Sequence, residues 1–171
     1  MSVSGIEELE HKLKTMSDPN LKQAVSTGIQ IVRSAAVMNC HVDMGELRQS
    51  IYAEVSEQDG KVIGTCWTDK EYAPYVEFGT GPKGQENHAG ISSEVTPAYT
   101  QAPWWIHESQ VDRRVAEKYH WFHIDTPDGR FSQCTGQPAY PFMYPALKDN
   151  QDQILEEMKA EFSAAIKESI K

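Results

Sequence analysis

Two Asp-Gly dipeptides, Asp59-Gly60 and Asp128-Gly129, each stand between short arms able to pair, and they constrain the fold more than any other feature of the chain. Asp-Gly supplies the positive φ angles that tight hairpin turns require. Before the first, Ile51, Ala53 and Val55 alternate with polar neighbours; after it, Lys61 to Thr68 returns. That spacing predicts an antiparallel hairpin. Around the second, Tyr119 to Asp125 is expected to form one arm, Thr126-Pro127-Asp128-Gly129 the turn, and Arg130 to Thr135 the return arm.

Helical periodicity brackets these hairpins. Ile6, Leu9, Leu13 and Met16 recur at helical spacing. Ser17-Asp18-Pro19 then predicts a break, with Asp18 as N-cap and Pro19 in the first turn of a second helix. That helix carries Leu21, Ala24, Val25, Gly28, Val32, Ala35 and Ala36 and is expected to end near Asn39. Its small residues allow close approach of a sheet or another helix. Asp43-Met44-Gly45-Glu46-Leu47 reads as a turn and a short helical turn. Glu71 to Gly79 reads as one short helix, with Tyr72, Tyr75 and Phe78 at helical spacing and Gly79-Thr80-Gly81-Pro82 as its exit. Residues 83–114 form a long polar loop with Trp104-Trp105 in it, and loops of that length are usually functional or disordered. Gln137 to Pro141 excludes regular structure. From Pro145 a last helix places Leu147, Ile154, Leu155, Met158, Phe162, Ala165, Ile166 and Ile170 on one face, expected to cover the protein's own sheet.

The expected fold is therefore α+β: a small antiparallel sheet of two hairpins packed against an N-terminal helix and a long C-terminal helix. A single domain, 1–171, carries the 83–114 insertion. A chain of 171 residues is long enough to bury a real core.

Composition narrows the function by exclusion. With 16 Lys and Arg against 25 Asp and Glu, the net charge of −9 opposes tight duplex binding, which needs many phosphate contacts. Three widely spaced cysteines, Cys40, Cys66 and Cys134, are not a disulfide framework. No signal segment and no run of about 20 apolar residues is present, so synthesis and assembly in the cytoplasm, away from membranes, is the expectation. The Gly79-Thr80-Gly81 run lacks the Lys-Ser or Lys-Thr of a P-loop, and it follows a helix where a P-loop precedes one. No GxSxG, HExxH or CxxC occurs. The strongest metal candidate is His120 and His123 with Cys134 on the partner arm, although the two histidines would face opposite ways on a strand. No catalytic set, cofactor or metal is expected.

Three blocks together resemble one family. They are Cys40-His41-Val42-Asp43-Met44-Gly45-Glu46-Leu47-Arg48-Gln49-Ser50-Ile51, Tyr72-Ala73-Pro74-Tyr75-Val76-Glu77-Phe78-Gly79-Thr80-Gly81, and Pro138-Ala139-Tyr140-Pro141-Phe142-Met143-Tyr144-Pro145-Ala146-Leu147. In this order they are similar to the minor tail-component, or tail-completion, family of tailed phages and prophages, over nearly the whole chain. His41 and Met44 depart from it, where the family usually has Pro and Thr. The motif residues are Asp43, Gly45, Leu47, Arg48, Glu77, Gly79, Pro141, Phe142 and Pro145. Physically, Asp43 and Gly45 permit a tight turn that brings Leu47 and Ile51 into the core. Arg48 is expected to meet an acid such as Glu77. Pro141 and Pro145 fix the approach to the last helix, and Phe142 and Met143 plug the sheet end.

The resemblance implies a virion protein at the head–tail junction: a homo-oligomeric, hexameric ring between a head connector or stopper and a tail terminator or tail tube. DNA would pass through its lumen without specific binding. Tyr72, Tyr75, Phe78, Trp104 and Trp105 are the expected subunit-interface residues. The competing readings are a tail terminator of the same neck, a metal-dependent hydrolase built on His120, His123 and Cys134, and a binding module built on Trp104 and Trp105.

Overall fold

The computed structural model describes residues 6–41, 45–111, 113–118 and 120–169, with side-chain environments from Asn20 onward. Asp43 and Met44 of the first family block, and Ile170 of the last apolar stripe, lie outside the described residues. The fold is α+β, and it divides into two compact units: residues 1–70 with 142–171, and residues 71–141.

The first unit is built on α1 (Ile6–Asn39). Its buried stripe is Ala24, Gly28, Val32, Ala36 and Cys40, one residue every four, which forms a single ridge along the helix. The ridge is made of small side chains, so neighbours come close. A β-carbon on Gly28 would stand 2.7 Å from the Met158 sulfur of α7 (Gln151–Ser169). A hairpin packs on α1 as well. β1 (Ile51–Gln58) and β2 (Lys61–Thr68) pair antiparallel in the register Ile51 to Thr68 through Gln58 to Lys61. A β-carbon on Gly64 of β2 would be 3.0 Å from the Ile29 β-carbon. Asp59 (φ 51°) and Gly60 (φ 71°) both take positive φ, the type I′ geometry that the dipeptide predicts.

The ends of these elements are tied by named bonds. Gly45 (φ 84°) precedes α2 (Glu46–Gln49), whose Leu47 is buried. The Arg33 side chain donates to the Ile51 carbonyl at 2.8 Å. The Ser50 hydroxyl donates to the Leu47 carbonyl at 2.9 Å and meets the Thr68 hydroxyl at 2.7 Å, so the strand ends are clamped beside α2. Arg48 Nη2 donates to the carbonyls of Met38 and Cys40, at 3.5 and 3.4 Å. The last turn of α1 has no basic residue of its own, and this guanidinium supplies the cation that a helix C-terminus favours. Phe142, Ile51 and Ala146 are all fully enclosed, Phe142 at 1% exposure, and Cys66 Sγ lies 3.9 Å from Met143 Sδ. Burying an Ile or Phe side chain contributes about 1.5–3 kcal/mol.

Two expectations for this unit are corrected. Ser17-Asp18-Pro19 does not split the first helix, because α1 runs through it to Asn39. An internal proline removes one hydrogen bond and costs about 3 kcal/mol, and a helix that continues on both sides can absorb that loss. The last helix starts earlier than Pro145 and is interrupted: α6 (Met143–Lys148) contains Pro145 in its first turn, and α7 follows after Asp149-Asn150. Leu147 and Leu155 are both exposed, so neither joins the apolar face.

The second unit, residues 71–141, holds α3 (Ala73–Phe78), α4 (Gly81–Glu86), β3 (Trp104–His107), α5 (Arg113–Lys118), β4 (His123–Thr126) and β5 (Gly129–Cys134). Its sheet has the order β3-β5-β4, all antiparallel, with Trp104 opposite Cys134 and His123 opposite Ser132. The two predicted hairpins thus belong to separate sheets. The 83–114 stretch is not one loop: it begins in α4, contributes β3 as the third strand, and ends in α5. His120 to Phe122 is not strand either; α5 precedes it and His120 takes φ 51°, while Tyr119 lies outside the described residues.

Candidate interaction groove

The second unit carries a groove lined by α3, the start of α4, residues 97–100 and β3. Local sequence explains its walls. Pro74 sits in the first turn of α3, which ends at Gly79 with φ 75° and ψ 176°. Any β-carbon there would meet the Ala139 nitrogen at 2.7 Å, so glycine is needed for the chain to turn so tightly. Thr80 then adopts extended geometry and pairs with Gln137, accepting and donating at 3.1 and 2.9 Å. Gly81-Pro82 opens α4, with proline in the first turn where its missing N–H is harmless. The Gly-Thr-Gly run is therefore a helix-to-helix junction. Gly81 (φ 61°) leaves room for the Trp104 ring, which a β-carbon would meet at 2.9 Å.

Tyr75, Phe78, Pro74, Pro97, Tyr99 and Trp104 supply the apolar lining, around a cavity of about 570 Å³. The Tyr99 hydroxyl donates to the Phe78 carbonyl at 2.8 Å, and burial pushes its pKa upward, so it stays a donor. Gln137 donates from its side chain to the Tyr75 carbonyl at 2.9 Å. His88 stacks on Tyr99 at 5.8 Å between ring centres. None of the lining residues is charged, in a chain where 24% of residues are. Tyr75 is 60% exposed at the groove's lip. An aromatic, proline-walled trough with Thr80 and Gln137 as its hydrogen-bonding groups suits an apolar or extended segment of another protein. It holds no nucleophile paired with a base.

Of the five expected interface residues, the groove brings together Tyr75, Phe78 and Trp104. Tyr72 is exposed just ahead of α3, and Trp105 points away from the groove, edge-on to Phe122 at 6.0 Å. Neighbours on a strand face opposite sides, so the tandem tryptophans do separate work. Pro97 and Tyr99 are lining residues that sequence reading missed, since nothing in a polar loop marks them. Among the motif residues, Gly45, Leu47, Arg48, Pro145 and Phe142 serve the first unit as described. Glu77 is buried within α3, and Pro141 is half-buried.

The histidine cluster takes a different form from the one expected. His120 and His123 both line a second cleft, also about 570 Å³, with Glu108, Arg113, Glu117 and Arg130. Its charges engage one another. Arg113 meets Glu117 at 2.9 Å, Arg130 holds Asp125 through two bonds of 2.7 and 3.2 Å, and the Arg130 amide donates to Glu108. The Arg130 guanidinium lowers the Asp125 pKa. Cys134 is not in that cleft; it is buried, and burial pushes its thiol up. Among the described residues, no three His, Cys, Asp or Glu side chains are grouped as metal ligands. No helix among them is long and apolar enough to cross a membrane.

Residues 6–79 match a family described as "Bacteriophage HK97-gp10, putative tail-component". The match runs from the start of α1 to the glycine that ends α3 and takes in the first block and the second as far as Gly79; Thr80-Gly81 and the third block lie beyond it. No curated protein and no solved structure gives a match.

Proposed function

We propose that the chain is a structural protein of the tailed-phage tail and neck class, since residues 6–79 match a bacteriophage tail-component family, and that it works at the head–tail junction as a tail-completion subunit. In this reading, copies form a hexameric ring between the head connector or stopper and the tail terminator or tail tube. The ring joins filled heads to finished tails and performs no catalysis. Heterologous contacts that close on themselves build such a ring.

The observation that carries the reading is the uncharged aromatic groove of Tyr75, Phe78 and Trp104, on a chain whose residues 6–79 match a tail-component family. Tyrosine and tryptophan dominate the energetics of protein interfaces, and a trough without charge has little to offer nucleic acid. The net charge of −9 supports a lumen through which DNA slides without sticking. The protein would be assembled in the host cytoplasm and reside in the virion.

Deleting the gene and imaging particles by negative stain tests this. Filled heads and free tails that fail to join are the expected result. Normal virions from the deletion strain overturn the proposal.

A further inference from the structure

One wall of the aromatic groove, Pro97 to Thr100, belongs to a stretch of chain with little to hold it in place. Residues 87–103 contain no helix and no strand, and none of them is buried. Connections longer than about 12–15 residues without regular structure are uncommon in compact domains and are usually functional or disordered, lids among them. Asn87 fixes the near end, because its carbonyl accepts from the Ala139 amide at 2.8 Å, and Trp104 fixes the far end as the first residue of β3. Between those anchors the hydrogen bonds are mostly local. The Val95 amide donates to the Ser92 carbonyl at 3.3 Å, the Glu94 amide to the Ser92 hydroxyl at 3.2 Å, and the Gln101 side chain to the Tyr99 carbonyl at 3.0 Å. Among the described residues, one hydrogen bond alone ties residues 89–103 to the rest of the unit: the Tyr99 hydroxyl donates to the Phe78 carbonyl.

That bond closes a helix end. The last carbonyls of a helix have no partner inside it. In α3 the Tyr75 carbonyl receives the Gln137 side chain, the Val76 carbonyl receives the Tyr140 amide at 2.8 Å, and the Phe78 carbonyl receives Tyr99. The Tyr99 ring has a shaped seat. A β-carbon on Gly84 would stand 3.0 Å from its Cε1 atom, and His88 stacks on it. We propose that residues 89–103 are a hinged strap, that the Tyr99 hydroxyl is its latch, and that the strap swings out and recloses as the movable wall of the groove. Gly90, with φ 83°, supplies a pliant residue at one end. With no buried residue to pull out, opening costs little beyond the latch, which places the strap among the least stable parts of the unit. One neutral hydrogen bond shifts such an equilibrium by roughly two- to tenfold, weak enough to reverse and strong enough to bias. The strap then sets when Phe78 and Trp104 can be reached by a neighbouring virion protein. This use rests on the groove reading, but the hinge itself is tested apart from it.

The test is native-state cleavage of the full-length protein by glutamyl endopeptidase at Glu94, an exposed strap residue, with products mapped by mass spectrometry. Cleavage of a transiently opened segment follows the population of its open form. Tyr99→Phe keeps the ring and removes the latch. It should speed cleavage after Glu94 by roughly two- to tenfold, with cleavage at Glu54 and Glu57 of β1 and the circular dichroism spectrum unchanged. His88→Ala, which removes the stacked ring, should speed it too and serves as the second variant should Tyr99→Phe fold poorly. An equal rate in Tyr99→Phe and the wild type overturns the latch. So does a rate that rises equally at Glu54 and Glu57, because the loss is then general. Wild-type cleavage at Glu94 as fast as in the denatured chain would mean that the strap is never held, and also overturns it. The wild type is then cleaved within purified particles, where a strap closed over an occupant should make cleavage at Glu94 slower than in the free protein. Unchanged cleavage there, beside the Tyr99→Phe effect in the free protein, would overturn the groove as the contact and leave the hinged strap standing.

Discussion

The two units are stabilised by different means. The first has a hydrophobic core of conventional kind: Ala24, Val32, Ala36, Leu47, Ile51, Phe142 and Ala146 are buried together around one helix ridge. The second buries Ala73, Glu77, Ser132 and Cys134, a set that is small or polar, and its shape rests on backbone turns. Gly79, Gly81 and Gly136 take positive φ, and Thr80 and Gln137 lock two turns together. Burial supplies a margin that is insensitive to detail, whereas a turn network fixes geometry with little margin. The aromatic groove sits in the second kind of unit, where a precise lining matters more than a large reserve of stability.

This contrast can be broken by substitution. Phe142→Ala should have the largest effect, a loss of about 3–5 kcal/mol for a fully enclosed aromatic, read by chemical denaturation with hydrogen exchange on α1 and β1. A loss below about 1 kcal/mol would mean that the first unit is not organised around that core. Trp104→Ala should leave the first unit's exchange protection intact and weaken partner binding by on the order of 2 kcal/mol, about thirtyfold, the scale of an interface hot spot. Trp105→Ala is the control. Equal loss of head–tail joining for both variants would remove the groove's special status.

Smaller effects sharpen the same comparison. Gly81→Ala forces a left-handed conformation on a residue with a β-carbon and should cost about 1–2 kcal/mol. That cost should be confined to amides of residues 71–141, and exchange that rises equally in α1 would contradict it. The smallest effect concerns Asp125. Its lowered pKa means that the bond to Arg130 adds stability that is present at neutral pH and is lost as the pH falls through the carboxyl's own depressed range. The Asp125 side chain is exposed, so the effect should be slight. Asp125→Asn should flatten that acid-side slope in a melting series, and an unchanged slope would show that another carboxylate governs it.

Legibility in the sequence follows the same division. The first hairpin, its turn at Asp59-Gly60 and most of the α1 stripe are readable, because period-two and helical patterns report burial against a single core; Leu21, read as part of that stripe, is exposed. Pro19 misled because a local rule about helix starts competes with continuation of the helix, and local residues do not decide between them. In the second unit, β3 is four residues long and acquires its partner, β5, from about 25 positions downstream, so no local pattern announces it. Pro82 did carry a readable signal, a proline suited to a helix's first turn, inside a run read only as the exit of the preceding helix. The groove was half visible: Tyr75, Phe78 and Trp104 stood out as aromatics, while Pro97 and Tyr99 became wall only through folding.

The three cysteines, finally, bear on the chemical durability of the molecule. All are free, Cys40 and Cys134 are buried, and burial raises the pKa of each thiol. Because the thiolate is the species that oxidants and alkylating agents attack, each sulfur is held in its unreactive form. A particle component moves from a reducing cell interior into aerated surroundings when its host lyses. For this chain, that passage should leave the covalent structure unchanged, with no disulfide needed to survive it and none formed by accident.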